Sequence, residues 1–330
     1  MKRRKLLVDG TDVSEIGLGC MSFAGFYGPT DETESHRTLA RAQELGIDFL
    51  DTANVYGMGV SERAIGSYIK GDPSLFRIAT KASIWRHPET NVRGFNNKAD
   101  HLRSELEGSL KLLGLDRVDL FYIHRRDPEV EVEAVMETLL TLKEEQKIGG
   151  IGFSEISPAT LRRAVAVGPV DAVQSEYSVW TRYPDLGVVQ TCEELGVTFV
   201  PFSPVCRGIM GAEAPDITSL GDMDFRKNNP RFTEPNFSYN IVKVREFQAY
   251  AADLGTSAIV LCMAWVLARG DTMIPIPGTR SPAHLEELAA GSSFEMTDDI
   301  MAEIERILPV GWAHGDRYNA AQWAGPEGYC

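Results

Sequence analysis

"FLDTANVYGMGVSE", residues 49–62, holds the unit from which the chain is built. A short apolar run ends in Asp51, a polar, glycine-rich turn carries Tyr56, and a helical pattern begins near residue 60. The same order recurs on both sides of it. Strands are expected at 16–19, 48–51, 77–81, 118–124, 150–154, 172–175, 198–201 and 272–277. Helical stretches are expected at roughly 31–46, 60–70, 98–113, 131–145, 157–167, 185–196 and 240–268, with 282–290 after the last strand. In "RSELEGSLKLLG" Leu106, Leu110 and Leu113 recur at steps of three and four, which lines one face of a helix.

Strands each followed by a helix, eight times over, predict a (β/α)₈ TIM barrel. Ahead of the first strand, Asp9-Gly10 in "KLLVDGTDVSEI" reads as the turn of an N-terminal β-hairpin at the barrel floor. A doubly wound sheet would need an early G-x-G-x-x-G turn, and "GLGCMSF" supplies only the first G-x-G. No shift in composition divides the chain, so residues 1–330 are expected to form a single domain. Two stretches break the rhythm. Residues 204–239, rich in Gly, Pro, Asp and Asn, are too long for a plain connection and read as a functional loop. The tail, 309–330, carries Trp312, Tyr318, Trp323 and Tyr329 and is expected to lie over the barrel mouth.

The net charge of −14 over 330 residues repels phosphate backbones and anionic lipid, which argues against nucleic-acid and membrane partners. The five cysteines show no paired spacing and none lies close to a His, so neither a disulfide framework nor a metal site is expected. "MKRRKLLVD" has too few apolar residues for a signal peptide, and no run reaches membrane-spanning length; 257–268 reads as a short buried helix. A cytoplasmic monomer acting on a small molecule is the expectation.

The chemistry of a (β/α)₈ barrel sits at the C-terminal ends of its strands. Strand two ends in Asp51 and leads into Tyr56, strand three ends in Lys81, and strand four ends in His124. Singly, each has a plain structural reading: a turn cap, a packed ring, a solvated strand end, a hydrogen-bonded rim residue. Together they suit proton transfer to an oxygen that gains negative charge. A phenol with a pKa of about 10 is a weak acid. Lys81 can lower that value and stabilise the phenolate, Asp51 can keep the lysine charged, and His124 can orient the substrate oxygen. None of the four carries electrons, so a cofactor must bring the hydride.

"FLDTANVYG", "TK" and "YIHR" at these spacings resemble the aldo-keto reductase superfamily, whose catalytic tetrad is Asp, Tyr, Lys and His. The likeness extends through "EIGLGCMSF", "SLKLLGLDRVDLFYIHRRDP", "AVQSEYSVWTR", "FVPFSP" and "IPIPGTR". It implies a catalytic set of Asp51, Tyr56, Lys81 and His124 and an NADP(H) cofactor extended across the barrel mouth. By the same resemblance Ser154 and Gln174 would hold the nicotinamide amide, with Phe202 stacked on the ring and Ser203 and Pro204 following it. Arg207 would approach the pyrophosphate, Gly278, Thr279 and Arg280 would serve the adenosine phosphate, and Glu287 would lie near the adenine. Cys206, where relatives often have Gly, Leu288, where they often have Asn, and the Gly149-Gly150 pair depart from the pattern.

The resemblance implies NADPH-dependent reduction of an aldehyde or ketone. NADP-dependent oxidation of an alcohol or sugar, and a cofactor-sensing role like that of the potassium-channel β-subunits, stand as alternatives. Phe23, Trp85, Trp180, Trp312 and Tyr318 are candidate walls of the substrate pocket.

Overall fold

Apolar runs closed off by turn residues curl into one parallel barrel. The computed structural model describes residues 1–87, 89, 92–222 and 224–328. A hairpin of β1 (Arg3–Lys5) and β2 (Asp12–Ser14) precedes β3 (Leu18–Gly19), β4 (Phe49–Asp51) and β5 (Arg77–Ala82). A second hairpin follows, β6 (Ile84–Arg86) and β7 (Arg93–Phe95), and then β8 (Val118–Ile123), β9 (Ile148–Ser154), β10 (Ala172–Glu176) and β11 (Thr198–Phe202). Apart from the two hairpins these strands are parallel neighbours in sequence order, β3 to β11.

The eighth barrel strand, 272–277, closes the ring without forming a regular ladder. Ile274 and Ile276 donate to the carbonyls of Phe199 and Pro201, and Gly17 and Gly19 donate to those of Pro275 and Pro277, each at 2.9 Å. The two prolines have no N–H to return to β3, so pairing on that side runs in one direction only. Closure also requires Gly19: a Cβ there would come within 2.7 Å of the Ile276 carbonyl oxygen.

Two apolar layers follow from the period-two alternation of the strands. Inward-facing Phe49, Ala79, Leu120, Ala172, Val200 and Ile274 fill the barrel, floored by Leu6, Leu7 and Val13 of the first hairpin. Outward-facing residues such as Ile78, Phe121 and Val173 pack against the helices, among them Leu106 and Leu110 of α3. The helices are α1 (Glu32–Glu44), α2 (Val60–Ile69), α3 (Ala99–Leu113), α4 (Val132–Glu144), α5 (Pro158–Val167) and α6 (Val188–Leu195), then α7 (Asn236–Asp253), α8 (Ala258–Leu267), α9 (Pro282–Ala290) and α10 (Asp298–Ile307).

Helix starts are set locally. Asp31 accepts from Glu34 N–H at 2.8 Å, and Ser157 and Ser281 cap helices whose first turn contains a proline. The single helical stretch expected over 240–268 is in fact α7 and α8, bent by 87°. Gly255 adopts φ +70° at the break and Ser257 caps the new helix. α8 is buried on all sides, as its unbroken apolar sequence requires. Among the described residues no single helix is long and apolar enough to cross a membrane. α10 and the β6–β7 hairpin were not anticipated. The tail after α10 turns back over the C-terminal ends of the strands; Tyr329 and Cys330 lie outside the described residues.

Candidate active site

Strand ends deliver Asp51, Tyr56, Lys81 and His124 to one place. Asp51 closes β4 and Lys81 lies near the end of β5, beside it in the sheet, while His124 directly follows β8. Tyr56 hangs from the turn between β4 and α2, a turn tightened by Gly57 at φ +61° and Gly59 at φ +85°. Lys81 is fully buried and its Nζ contacts Asp51 Oδ1 directly. The same nitrogen donates to the Thr52 carbonyl at 2.7 Å and to the Tyr56 hydroxyl at 3.3 Å. Gln174 donates its amide N–H to the other Asp51 oxygen at 2.8 Å. His124 meets Tyr56 edge to face, ring centres 6.0 Å apart, and its Nδ1 is buried with no hydrogen-bond partner among the described residues.

The electrostatics of this group are a contest between burial and pairing. Burial works against the Lys81 ammonium, yet Asp51 and Tyr56 together hold it above the ordinary lysine value. Burial raises the Asp51 carboxyl, with Lys81 and Gln174 pulling it back. Burial also raises the Tyr56 phenol, and Lys81 offsets this only in part. The net lowering of the phenol expected from sequence therefore does not hold. The phenol keeps its proton at neutral pH, the state a proton donor needs. His124 is pushed well below the usual histidine range by burial and by the charges of Arg125, Lys81 and Arg93, so the ring is neutral.

Asp51, Tyr56 and His124 line a cavity of ≈ 1080 Å³ at the barrel mouth, with Lys81 just behind its wall. All ten residues singled out for a dinucleotide line it as well: Ser154, Gln174, Phe202, Ser203, Pro204, Arg207, Gly278, Thr279, Arg280 and Glu287. Arg207 donates from Nη2 to Glu176 at 2.6 Å, while its Nη1 is buried without a hydrogen-bond partner among the described residues. Ser22 Oγ, also unpartnered, lies 3.7 Å from where a Cβ on Gly278 would stand. Arg280 is anchored through Nη1 to the Tyr27 carbonyl at 2.7 Å. Ser203, Cys206 and Arg207 all have φ between +53° and +57°. Cys206 thus carries a Cβ at a position where glycine costs nothing, a strain of order 1 kcal/mol.

Of the candidate substrate walls, Trp85 on β6 and Tyr318 in the tail line the cavity, joined by Met58, Phe26 and Gln322. Phe23, Trp180 and Trp312 are not among its lining residues. Phe23 is core. Trp180 stacks on Trp312 with ring centres 5.9 Å apart, and Trp312 Nε1 donates to the Val179 carbonyl at 2.8 Å. These aromatics fix the tail beside the mouth instead of lining it.

One cluster escaped the sequence reading. Glu155, at φ +58°, forms a two-pronged ion pair with Arg317 of the tail, both side chains fully buried. Glu155 also accepts from Glu176 N–H at 2.8 Å, and Glu176 holds Arg207. Tyr318 and Trp323 lie against the Arg317 guanidinium at 4.8 and 4.9 Å. Glu155 and Arg317 lie 162 residues apart in the sequence, so nothing local announces the link.

With this geometry, the chain belongs to the aldo/keto reductase family, whose family profile matches residues 15–309. The Schizosaccharomyces pombe protein named aldo-keto reductase yakc, NADP(+), is 36% identical over 311 residues, 93% of this chain and 92% of that protein. Among solved structures, glycerol dehydrogenase AKR11B4 from Gluconobacter oxydans superposes with a TM-score of 0.84 at 24% identity, over 96% of this chain and 98% of that one. The holo form of aldo-keto reductase AKR11C1 from Bacillus halodurans gives 0.77 at 22% identity, over 98% and 99%. At those identities the two structures speak for the (β/α)₈ fold.

Proposed function

We propose that this aldo/keto reductase reduces an aldehyde or ketone to the alcohol with NADP(H), Tyr56 giving the proton. The observation that carries the reading is the Tyr56 hydroxyl at the cavity wall, 3.3 Å from a buried lysine that rests on Asp51. A dinucleotide fits the residues present. Arg207 lines the cavity and its Nη1 has no hydrogen-bond partner among the described residues, which suits an anionic group beside it, and the bare Cα of Gly278 leaves room beside Ser22. Ser154, Gln174, Phe202, Ser203 and Pro204 would hold the nicotinamide end and Arg207 the pyrophosphate. Gly278, Thr279, Arg280 and Glu287 would hold the adenosine end. The NADP(+) in the name of the fission-yeast relative supports this nucleotide. Bound there, it supplies the hydride that no side chain can.

The protein's own residues handle the proton. His124, neutral, offers a hydrogen bond that orients the carbonyl oxygen. As that oxygen gains charge, the Tyr56 proton moves to it and the phenolate left behind is stabilised by Lys81, which Asp51 keeps charged. Run backwards, the phenolate accepts a proton from an alcohol, so the same atoms serve oxidation. Consumption of NADPH with a panel of carbonyl compounds, with the alcohol identified, tests the reading. NADPH binding with no turnover of any carbonyl would point to a cofactor-sensing protein instead.

A further inference from the structure

The cavity wall around His124 carries positive charge that proton transfer does not use. Arg125, next to His124 in the chain, is 7% exposed and lines the cavity. Its Nη1 donates to the His124 carbonyl at 2.6 Å and to Ser154 Oγ at 2.9 Å, but its Nε is buried with no hydrogen-bond partner among the described residues. Arg93, on β7, lines the same cavity. Among the described residues no carboxylate forms an ion pair with either guanidinium; Glu155, whose charge Arg125 does feel, is taken by Arg317. Arg93 is held below the ordinary arginine value by burial first and then by Arg125, a like charge, with only the Tyr318 phenol acting in the opposite sense before Arg86 adds to it.

A second observation is independent of the first. In the β6–β7 hairpin, Arg86 stands directly opposite Arg93. Like charges in a cross-strand pair are destabilising, and a hairpin of three residues per strand has little stability to spare. In a chain of net charge −14, cations drawn together on a cavity wall are not a by-product of a basic surface. The Arg93 and Arg125 guanidiniums, without a carboxylate ion pair among the described residues, are together able to take two oxygens of one anionic group in charge-assisted hydrogen bonds.

We propose that Arg93 and Arg125 form an anion subsite, and that the substrate is a carbonyl compound carrying a carboxylate or a phosphate ester. Trp85, Met58 and Val55 line the same cavity and offer an apolar wall to the rest of the molecule. The proposal rests on the carbonyl-reduction reading above.

The test compares kcat/KM for matched pairs: 4-carboxybenzaldehyde against its methyl ester, and glyceraldehyde 3-phosphate against glyceraldehyde. The wild-type protein should prefer the charged member of at least one pair by ~10-fold or more, chiefly through KM. Which pair shows the preference tells carboxylate from phosphate. Arg93→Gln should cut the preference by roughly 10-fold, and Arg93→Lys should restore part of it. Turnover of the neutral aldehydes with no preference for charge, or a preference that survives Arg93→Gln, overturns the subsite alone. No turnover of any of the four compounds overturns the carbonyl-reduction reading and the subsite with it.

Discussion

Two buried ion clusters stand at the same end of the barrel and are built differently. On the β4–β5 side, Lys81 is shared among Asp51, the Thr52 carbonyl and the Tyr56 hydroxyl, and the group opens onto the cavity through Tyr56 and His124. On the β9–β10 side, Arg317 lies fully buried on Glu155, roofed by Tyr318 and Trp323, and the carboxylates are taken up by arginines and backbone N–H groups. The first cluster reaches the cavity through the side chains of Tyr56 and His124, whereas the Glu155–Arg317 pair of the second is sealed inside the protein, with Arg317 Nε left without a hydrogen-bond partner among the described residues. Access to the cavity suits the first cluster to the proposed proton transfer, and enclosure suits the second to fastening the tail. Arg207 belongs to both kinds, with one nitrogen on Glu176 and the other unpartnered.

Charge-removing substitutions should separate the two clusters. Lys81→Met strikes the chemical one: carbonyl reduction should fall by ~100-fold or more, since proton donation is typically worth ~10²–10⁴. It also strips Asp51 of its partner, so urea unfolding should show a loss of about 3 kcal/mol. Unchanged turnover would remove the lysine from the proton-transfer group. Arg317→Met strikes the fastening cluster. Leaving Glu155 buried and unpaired should cost roughly 3–5 kcal/mol of stability. The freed tail should raise KM more than it lowers kcat, because Tyr318 and Gln322 line the cavity without belonging to the proposed proton-transfer group. Equal stability to the wild type would contradict the fastening role. For the same reason, truncation after Pro309 should destabilise the barrel as well as alter substrate preference.

Smaller effects sharpen the picture. Arg280→Ala should weaken NADPH binding about 10-fold and leave NADH little changed, since one charge-assisted contact is worth roughly 1.5–3 kcal/mol. Equal losses in a fluorescence titration would show that Arg280 does not read the 2′-phosphate. The smallest effect concerns His124. The folded protein holds it neutral, whereas the unfolded chain protonates it below about pH 6.5. The unfolded state therefore binds more protons in acid, and this contribution to stability is present above that pH and lost as the pH falls. The drop in urea midpoint between pH 7 and pH 5 should be smaller in His124→Gln than in the wild type; an equal drop would mean that His124 is already charged in the folded state.

The barrel was legible because its strands are apolar runs that end in chemically distinct residues. Asp51, Lys81 and His124 could be read as strand ends without knowing what faced them. The one-sided closure at Pro275 and Pro277 follows from the same residues once their missing N–H groups are counted. Trp180 and Trp312 were misplaced because an aromatic ring near a barrel mouth serves equally well as cavity wall or packing, and composition does not distinguish the two. The β6–β7 hairpin was hidden because "IWR" and "RGF" are too short to announce strands. Glu155 and Arg317 were hidden for a different reason: each reads as an ordinary surface charge until the fold brings them together.

The most direct test removes one oxygen atom. Tyr56→Phe deletes the hydroxyl that lies 3.3 Å from Lys81 Nζ and leaves Lys81, Asp51 and the residues proposed to hold the nucleotide in place. Carbonyl reduction by this variant should fall ~10²–10⁴-fold while NADPH binding, followed by fluorescence titration, stays close to wild type. Turnover within a few-fold of wild type would mean that the proton comes from elsewhere.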